Sequence, residues 1–267
     1  MNPASVPGRS GRFHQVGSVM FRALLLALVA SLLAACFPRG DSSLPIPHAL
    51  VPAPQAATRL VVVLPGRADD LAAMQRSGMA EAVQSAWPDA DVILTGLSLD
   101  YYMQGQAAQR LHNEIVAPAR SRGYRQVWLA GASMGGMGTL MYDRQYPGEM
   151  DGLILLAPYL GERALLAEIA ESGGIASWDA GPAPAALDRD NFNHELWRHV
   201  QRWSNDPAQA ARVWLAYGDR DRLRRAMPLL EPALDPGQVL VRKGGHDWPV
   251  WAAATAEILR RADHQAR

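Results

Sequence analysis

The chain predicts an α/β fold, with a mostly parallel central sheet, helices on both faces and one small insertion. Three observations predict it. Short apolar runs without polar alternation recur, the pattern of strands buried on both faces of a parallel sheet. Helical stretches separate them, and a β-α-β succession pairs its strands in parallel through right-handed crossovers. The residues with chemical potential fall just after the runs, at the carboxyl ends of strands, where such sheets form their sites.

The N-terminal element comes first in the chain. Arg9, Arg12 and Arg22 precede an uncharged apolar stretch of thirteen residues, Ala23 to Ala35. A spanning helix needs about 20 residues, so this stretch has the length of a signal-peptide core behind a positive region. It ends in Leu33-Ala34-Ala35-Cys36, and Cys36 is the single cysteine of the chain. Residues 33–36 resemble the lipobox of bacterial lipoproteins, which implies cleavage before Cys36 and its lipidation. Plain secretory cleavage after Ala-x-Ala is the alternative. Met20 could serve as the start without changing anything downstream. Phe37 stands where an inner-membrane retention signal has Asp, so the expected location is the outer membrane of a bacterial envelope, facing the periplasm. Several acyl chains would anchor stably where one would not.

Residues 36–56 hold the lipidated cysteine and a Pro-, Ser- and Ala-rich stretch without helical or strand period, expected to be a tether. The catalytic domain is expected over 57–267, about 210 residues, enough for one core. Its first strand is Arg59 to Leu64, closed by Pro65-Gly66. Asp91 to Thr95, Gln126 to Ala130, Gly152 to Leu156, Arg212 to Tyr217 and Gln238 to Val241 follow. Ala107, Leu111, Ile115 and Val116 make a helical stripe bounded by Gly123, and Ala253, Ile258 and Leu259 another at the C-terminus. The connection 161–211 is far longer than a simple crossover needs.

Lys and Arg total 26 and Asp and Glu 26. Losing the three signal arginines leaves 23 basic residues against 26 acidic ones, so no basic footprint for nucleic acid exists. A single cysteine excludes intramolecular disulfides and cysteine-rich metal sites. No His-Glu-x-x-His spacing is present, and the chemistry below requires no metal or cofactor.

Three residues carry that chemistry. Ser133 lies in Gly131-Ala132-Ser133-Met134-Gly135, directly after a strand, the turn that lifts a serine hydroxyl above a sheet. An ordinary helix cap has a similar composition. His246, in Gly244-Gly245-His246-Asp247-Trp248, follows the last strand on a tight loop. An imidazole can take the serine proton near neutral pH and pass it to a leaving group. His112, His194, His199 and His264 fall within or near helices with polar neighbours and are expected to be solvated. Asp221, in Gly218-Asp219-Arg220-Asp221, is the candidate acid, with Asp219 its competitor and Asp247 a weaker rival. The expected oxyanion donors are the Met134 amide and, beyond the bend at Gly66, the Arg67 amide.

From Leu60 onward the chain resembles the α/β-hydrolase superfamily, within its esterase and lipase-like members. Leu64 to Arg67 matches the oxyanion loop, Gly131 to Gly136 the nucleophile elbow, Gly218 to Asp221 the acid turn and Gly244 to Trp248 the histidine loop. Gly244 to Trp251 is similar to esterases of the feruloyl type, whereas Pro65-Gly66 departs from the His-Gly form of many members. The resemblance implies a serine-dependent carboxylic ester hydrolase with an acyl-enzyme and a small-molecule ester or acyl substrate. It also implies that 161–211 is a cap-like insertion. Serine peptidase or acyltransferase activity on the same triad is the alternative, followed by a non-catalytic ligand-binding lipoprotein. The expected pocket comprises Gly66, Tyr101, Tyr102, Tyr159 and Trp248. Oligomeric state is not legible in the sequence.

Overall fold

The computed structural model describes residues 40–265. The signal segment 1–35, the lipobox 33–36 and Cys36 lie outside the described residues. The described strands form one sheet in the order β1-β3-β2-β4-β5-β6-β7. They are β1 (His48–Val51), β2 (Arg59–Leu64), β3 (Ala90–Thr95), β4 (Gln126–Ala132), β5 (Gly152–Leu156), β6 (Val213–Gly218) and β7 (Val239–Arg242). β1 runs antiparallel to β3, and every other pair is parallel. The described helices are α1 (Leu71–Gln75), α2 (Met79–Ala86), α3 (Leu99–Met103), α4 (Ala107–Leu111), α5 (Ala117–Arg120) and α6 (Met134–Gln145). They continue with α7 (Arg163–Glu171), α8 (Phe192–Trp203), α9 (Pro207–Ala210), α10 (Met227–Leu230) and α11 (Trp248–Gln265).

All six expected strands are present, in a mostly parallel sheet with helices between them, as expected. Leu60 to Leu64 are fully buried, as an uninterrupted apolar run in a covered parallel sheet requires. After β2 the chain crosses to β3 on one side, then returns to lay β4 on the other side of β2. That reversal opens a crevice at the carboxyl ends of β2 and β4, the position at which open α/β sheets bind ligands. The helical stripe over 107–116 is interrupted by a π-helical turn, His112–Val116, which ends two residues before Pro118. A proline lacks the N–H and crowds the carbonyl four residues back, so a wider turn relieves the strain.

The N-terminal stretch differs from expectation. Within the expected tether, residues 40–56 are packed onto the domain instead of hanging free. His48–Val51 forms the edge strand β1, in register from His48 opposite Thr95 to Val51 opposite Val92. Ile46 is buried, the Gly96 amide donates to Pro47 O at 2.6 Å, and the Ala53 amide donates to Asp91 Oδ1 at 2.8 Å. Four prolines, 45, 47, 52 and 54, hide the strand from a periodicity reading. They also keep the chain extended, which suits an edge strand.

The insertion 161–211 lies along α6. Trp197 and Trp203 of α8 are buried, and Trp197 Nε1 donates to Leu160 O at 2.8 Å. Two ionic clusters hold α8 to α6. Glu195 accepts from Arg144 at 3.0 Å and from Arg198 at 2.8 Å. Asp143 accepts from Arg212 at 2.6 Å and meets His199 Nε2 at 2.8 Å. The expectation of a solvated His199 is therefore corrected: it is buried, with the carboxylate replacing water as its partner.

Candidate active site

β4 ends at Ala132, and Ser133 turns the chain into α6 with φ 55° and ψ −112°. A non-glycine residue in such a conformation costs about 1–3 kcal/mol and persists only where its surroundings over-determine it. Here they do. The Ser133 amide donates to Leu156 O at 2.8 Å, and the Tyr159 amide donates to Ser133 O at 2.9 Å. A Cβ on Gly135 would lie 2.6 Å from the carbonyl oxygens of Leu64 and Pro65, so glycine alone lets α6 press against the end of β2. A second strained residue, Ala157 at φ 42°, closes β5 beside the same turn. Sequence reasoning missed it. The following Pro158, which disfavours helical backbone at the residue before it, was the available signal.

Asp221 and His246 come together from the exits of β6 and β7. Both Asp221 carboxylate oxygens lie 2.8 Å from His246 Nδ1, and Asp221 Oδ1 also accepts from the Leu223 amide at 2.7 Å. A carboxylate accepts, so Nδ1 is the donor and carries a proton. Nε2 is buried and has no hydrogen-bond partner among the described residues. Nor does any hydrogen bond there join it to Ser133 Oγ. The competing aspartates have other work. Asp219 accepts from the Gly244 amide at 2.9 Å, and Asp247 accepts from the Val250 amide at 3.2 Å in the first turn of α11.

The loop after β2 reaches the serine. A Cβ on Gly66 would stand 3.8 Å from Ser133 Cβ and 2.9 Å from Asp69 Oδ2. The Gly66 amide is occupied by Asp69 Oδ2 at 3.1 Å. The amides of Arg67 and Met134, which follow Gly66 and Ser133 directly, donate to no group among the described residues. Met134 opens the first turn of α6, where amides have no intrahelical acceptor and favour negative charge.

The expected pocket residues divide. Gly66 lies beside Ser133, as described. Tyr159 is tied to Ser133 through its backbone. Burial and the Glu162 charge push the Tyr159 hydroxyl above its ordinary pKa, against the pull of Arg67. Trp248 stacks edge-on against Trp251 at 5.1 Å, and Trp251 packs edge-on against the His246 ring at 4.7 Å. Trp251 is the direct neighbour of the imidazole and was overlooked. Its helical phase, one turn beyond Trp248 and five residues from His246, was the signal. Tyr102 lies against α6, where its hydroxyl occupies the space a Gly138 side chain would need. That hydroxyl has no partner among the described residues, and burial drives its pKa far upward. Tyr101 is a correction. It is 1% exposed and donates from Oη to Leu44 O at 3.2 Å and Pro45 O at 3.3 Å, so it fastens the N-terminal stretch and lines no pocket. Adjacent residues on a helix point about 100° apart, and sequence gave no phase for α3.

A family model described as putative esterase matches residues 104–262, more than half of the chain. Solved structures align with it over most of its length. Est1E from Butyrivibrio proteoclasticus is 15% identical with a TM-score of 0.53, covering 85% of this chain and 96% of that one. A ferulic acid esterase is 18% identical, TM-score 0.53, covering 79% and 86%. S-formylglutathione hydrolase from Staphylococcus aureus is 14% identical, TM-score 0.52, covering 82% and 83%. At these identities the likeness concerns the fold. No curated protein matches the chain by sequence.

Proposed function

The chain belongs to the putative esterase family and is a carboxylic ester hydrolase, and from that premise we propose that it works by acyl transfer through Ser133. Ser133 Oγ attacks the ester carbonyl while His246 Nε2 takes its proton. Asp221 keeps the imidazole in the Nδ1–H tautomer and stabilises the imidazolium. The Arg67 and Met134 amides receive the oxyanion, worth about 3–4 kcal/mol each. His246 then protonates the departing alkoxide, and the alcohol leaves an acyl-enzyme. Water, deprotonated by His246, attacks the acyl carbon. The carboxylic acid departs as the proton returns to Ser133.

One observation carries this reading. A strained serine turn at the β2–β4 crevice shares the sheet edge with an imidazole whose Nδ1 is held by a buried carboxylate and whose Nε2 is unpaired. A fluorophosphonate probe should label Ser133 in the wild-type protein. Ser133→Ala should lose both the labelling and the hydrolysis of p-nitrophenyl butyrate. A folded wild-type protein that neither reacts with the probe nor cleaves a panel of short esters would overturn the reading.

We further propose that residues 1–35 direct export and that Cys36 carries the lipid that holds the enzyme in a bacterial envelope. Support comes from the positive region, the apolar core and the small residues before the sole cysteine. Mass spectrometry of the mature N-terminal peptide tests it. The expected peptide starts at Cys36 with added acyl mass, and an unmodified N-terminus would refute the anchor.

A further inference from the structure

Residues 40–47 cross α3 and α4 as a strap rather than a loose tether. The Ser42 amide donates to Asp100 Oδ2 at 2.8 Å, and the Ile46 amide donates to Glu114 Oε2 at 2.7 Å. Tyr101 Oη bonds the Leu44 and Pro45 carbonyls, and Arg110 bonds the Ser42 carbonyl and, at 2.7 Å, that of Leu44. These bonds fasten residues 42–46 to side chains of α3, α4 and the turn that follows.

Only three residues, Phe37, Pro38 and Arg39, separate Gly40 from Cys36. A trans chain covers at most about 3.6 Å per residue, so the covalent link from Cys36 to Gly40 is at most roughly 14 Å long. A free tether of about twenty residues would have let the domain wander on the order of 25 Å. The strap removes that freedom. Apolar side chains are exposed on the strap and on the helix it crosses: Leu44 is 57% exposed and Met103, at the end of α3, is 54% exposed. With Leu50 of β1 they make three of the five large apolar residues so exposed among the described residues.

The carboxylates near them are engaged. Asp41 accepts from the Ser43 amide and hydroxyl, Asp100 from Ser42, and Glu114 from Arg110 and Ile46. Glu114 is paired with Arg110, whereas Asp41 and Asp100 accept only from neutral groups and keep their charge, so the face offers apolar contact beside two carboxylates.

We propose that this face, with Leu44 and Met103 at its centre, is a docking surface for the phospholipid bilayer that holds the N-terminus. The proposal rests on the Cys36 anchor proposed above. Ser133 lies on the same edge of the sheet, two strands from β3 and so about 10 Å across it.

The test uses the full mature lipidated chain in phosphatidylethanolamine–phosphatidylglycerol vesicles. Acylation of Cys36 removes its thiol, so Met103→Cys supplies one reactive site for an environment-sensitive fluorophore. Gln145→Cys, exposed at the far end of α6, is the control. The label at 103 should shift to the blue and be quenched at least twofold by lipids spin-labelled near the headgroup, and the label at 145 should not. Equal, solvent-like behaviour of both labels on protein that floats with the vesicles overturns the docking face and leaves the anchor standing. Chain that mass spectrometry shows unlipidated at Cys36, and that stays with the solvent, overturns both.

Discussion

Two aspartate–histidine pairs among the described residues meet at the same distance. Asp221 meets His246 at 2.8 Å, and Asp143 meets His199 at 2.8 Å, with both carboxylates fully buried. Their surroundings differ. Asp143 is also bound by Arg212, so its charge is already compensated, and His199 pins α8 against α6. The Asp221 carboxylate accepts from His246 and the Leu223 amide, while Arg224 reaches only its backbone carbonyl, at 3.2 Å, so no arginine is paired with that carboxylate among the described residues. His246 is held through Nδ1, which leaves its Nε2 unpaired among the described residues, whereas His199 is held through Nε2 and lies between helices. A carboxylate–imidazole contact is thus no signature of catalysis by itself. What distinguishes the Asp221–His246 pair is its place at the carboxyl ends of strands and a carboxylate that no arginine pairs with among the described residues.

The largest expected contrast comes from deleting each imidazole. His246→Ala should lower kcat about 10⁴-fold or more with the melting temperature nearly unchanged. His199→Ala should lower the melting temperature and leave kcat within a few fold. Steady-state kinetics and calorimetry on both variants would break the comparison if the two effects were exchanged. Asp221→Asn should follow, with kcat down about 10³- to 10⁴-fold through loss of the correct tautomer. Asp143→Ala should instead cost about 3–5 kcal/mol by leaving the buried His199 and the half-buried Arg212 without their partner, a melting shift on the order of 10 °C, with hydrolysis retained.

Smaller effects sharpen the same contrast. Burial raises the Glu195 carboxyl, but hydrogen bonds from Arg198 and Arg144 and their charges outweigh it, so its pKa lies below the ordinary value. A depressed folded pKa contributes stability that is present above the unfolded value and lost as pH falls through the folded one. Wild-type stability should therefore drop on acidification through that window. Glu195→Gln should be about 1–2 kcal/mol less stable at neutral pH and flatter across the window, as chemical denaturation at each pH would reveal. Tyr101→Phe should cost about 1 kcal/mol through the lost strap bonds, with KM within twofold of wild type. A large rise in KM would return Tyr101 to the pocket.

Much was legible in the chain itself. Continuous apolar runs marked six strands, because a strand covered on both faces has no polar side to show. The Gly131–Gly136 turn and the glycine loop around His246 stood out because strained turns need small residues. β1 escaped notice because four residues between prolines carry no period. Tyr101 was misassigned because a five-residue helix gives no reliable phase from its sequence.

The sequence by itself determined the sheet, the order of Ser133, Asp221 and His246 along the chain, and their positions after strands, since these follow from local pattern and spacing. Only the tertiary structure decided between Asp221 and Asp219 as the partner of His246, found Trp251 against the ring, and turned the tether into a strap. Each depends on side chains far apart in sequence meeting at an ångström scale, and local periodicity carries no information about such distances.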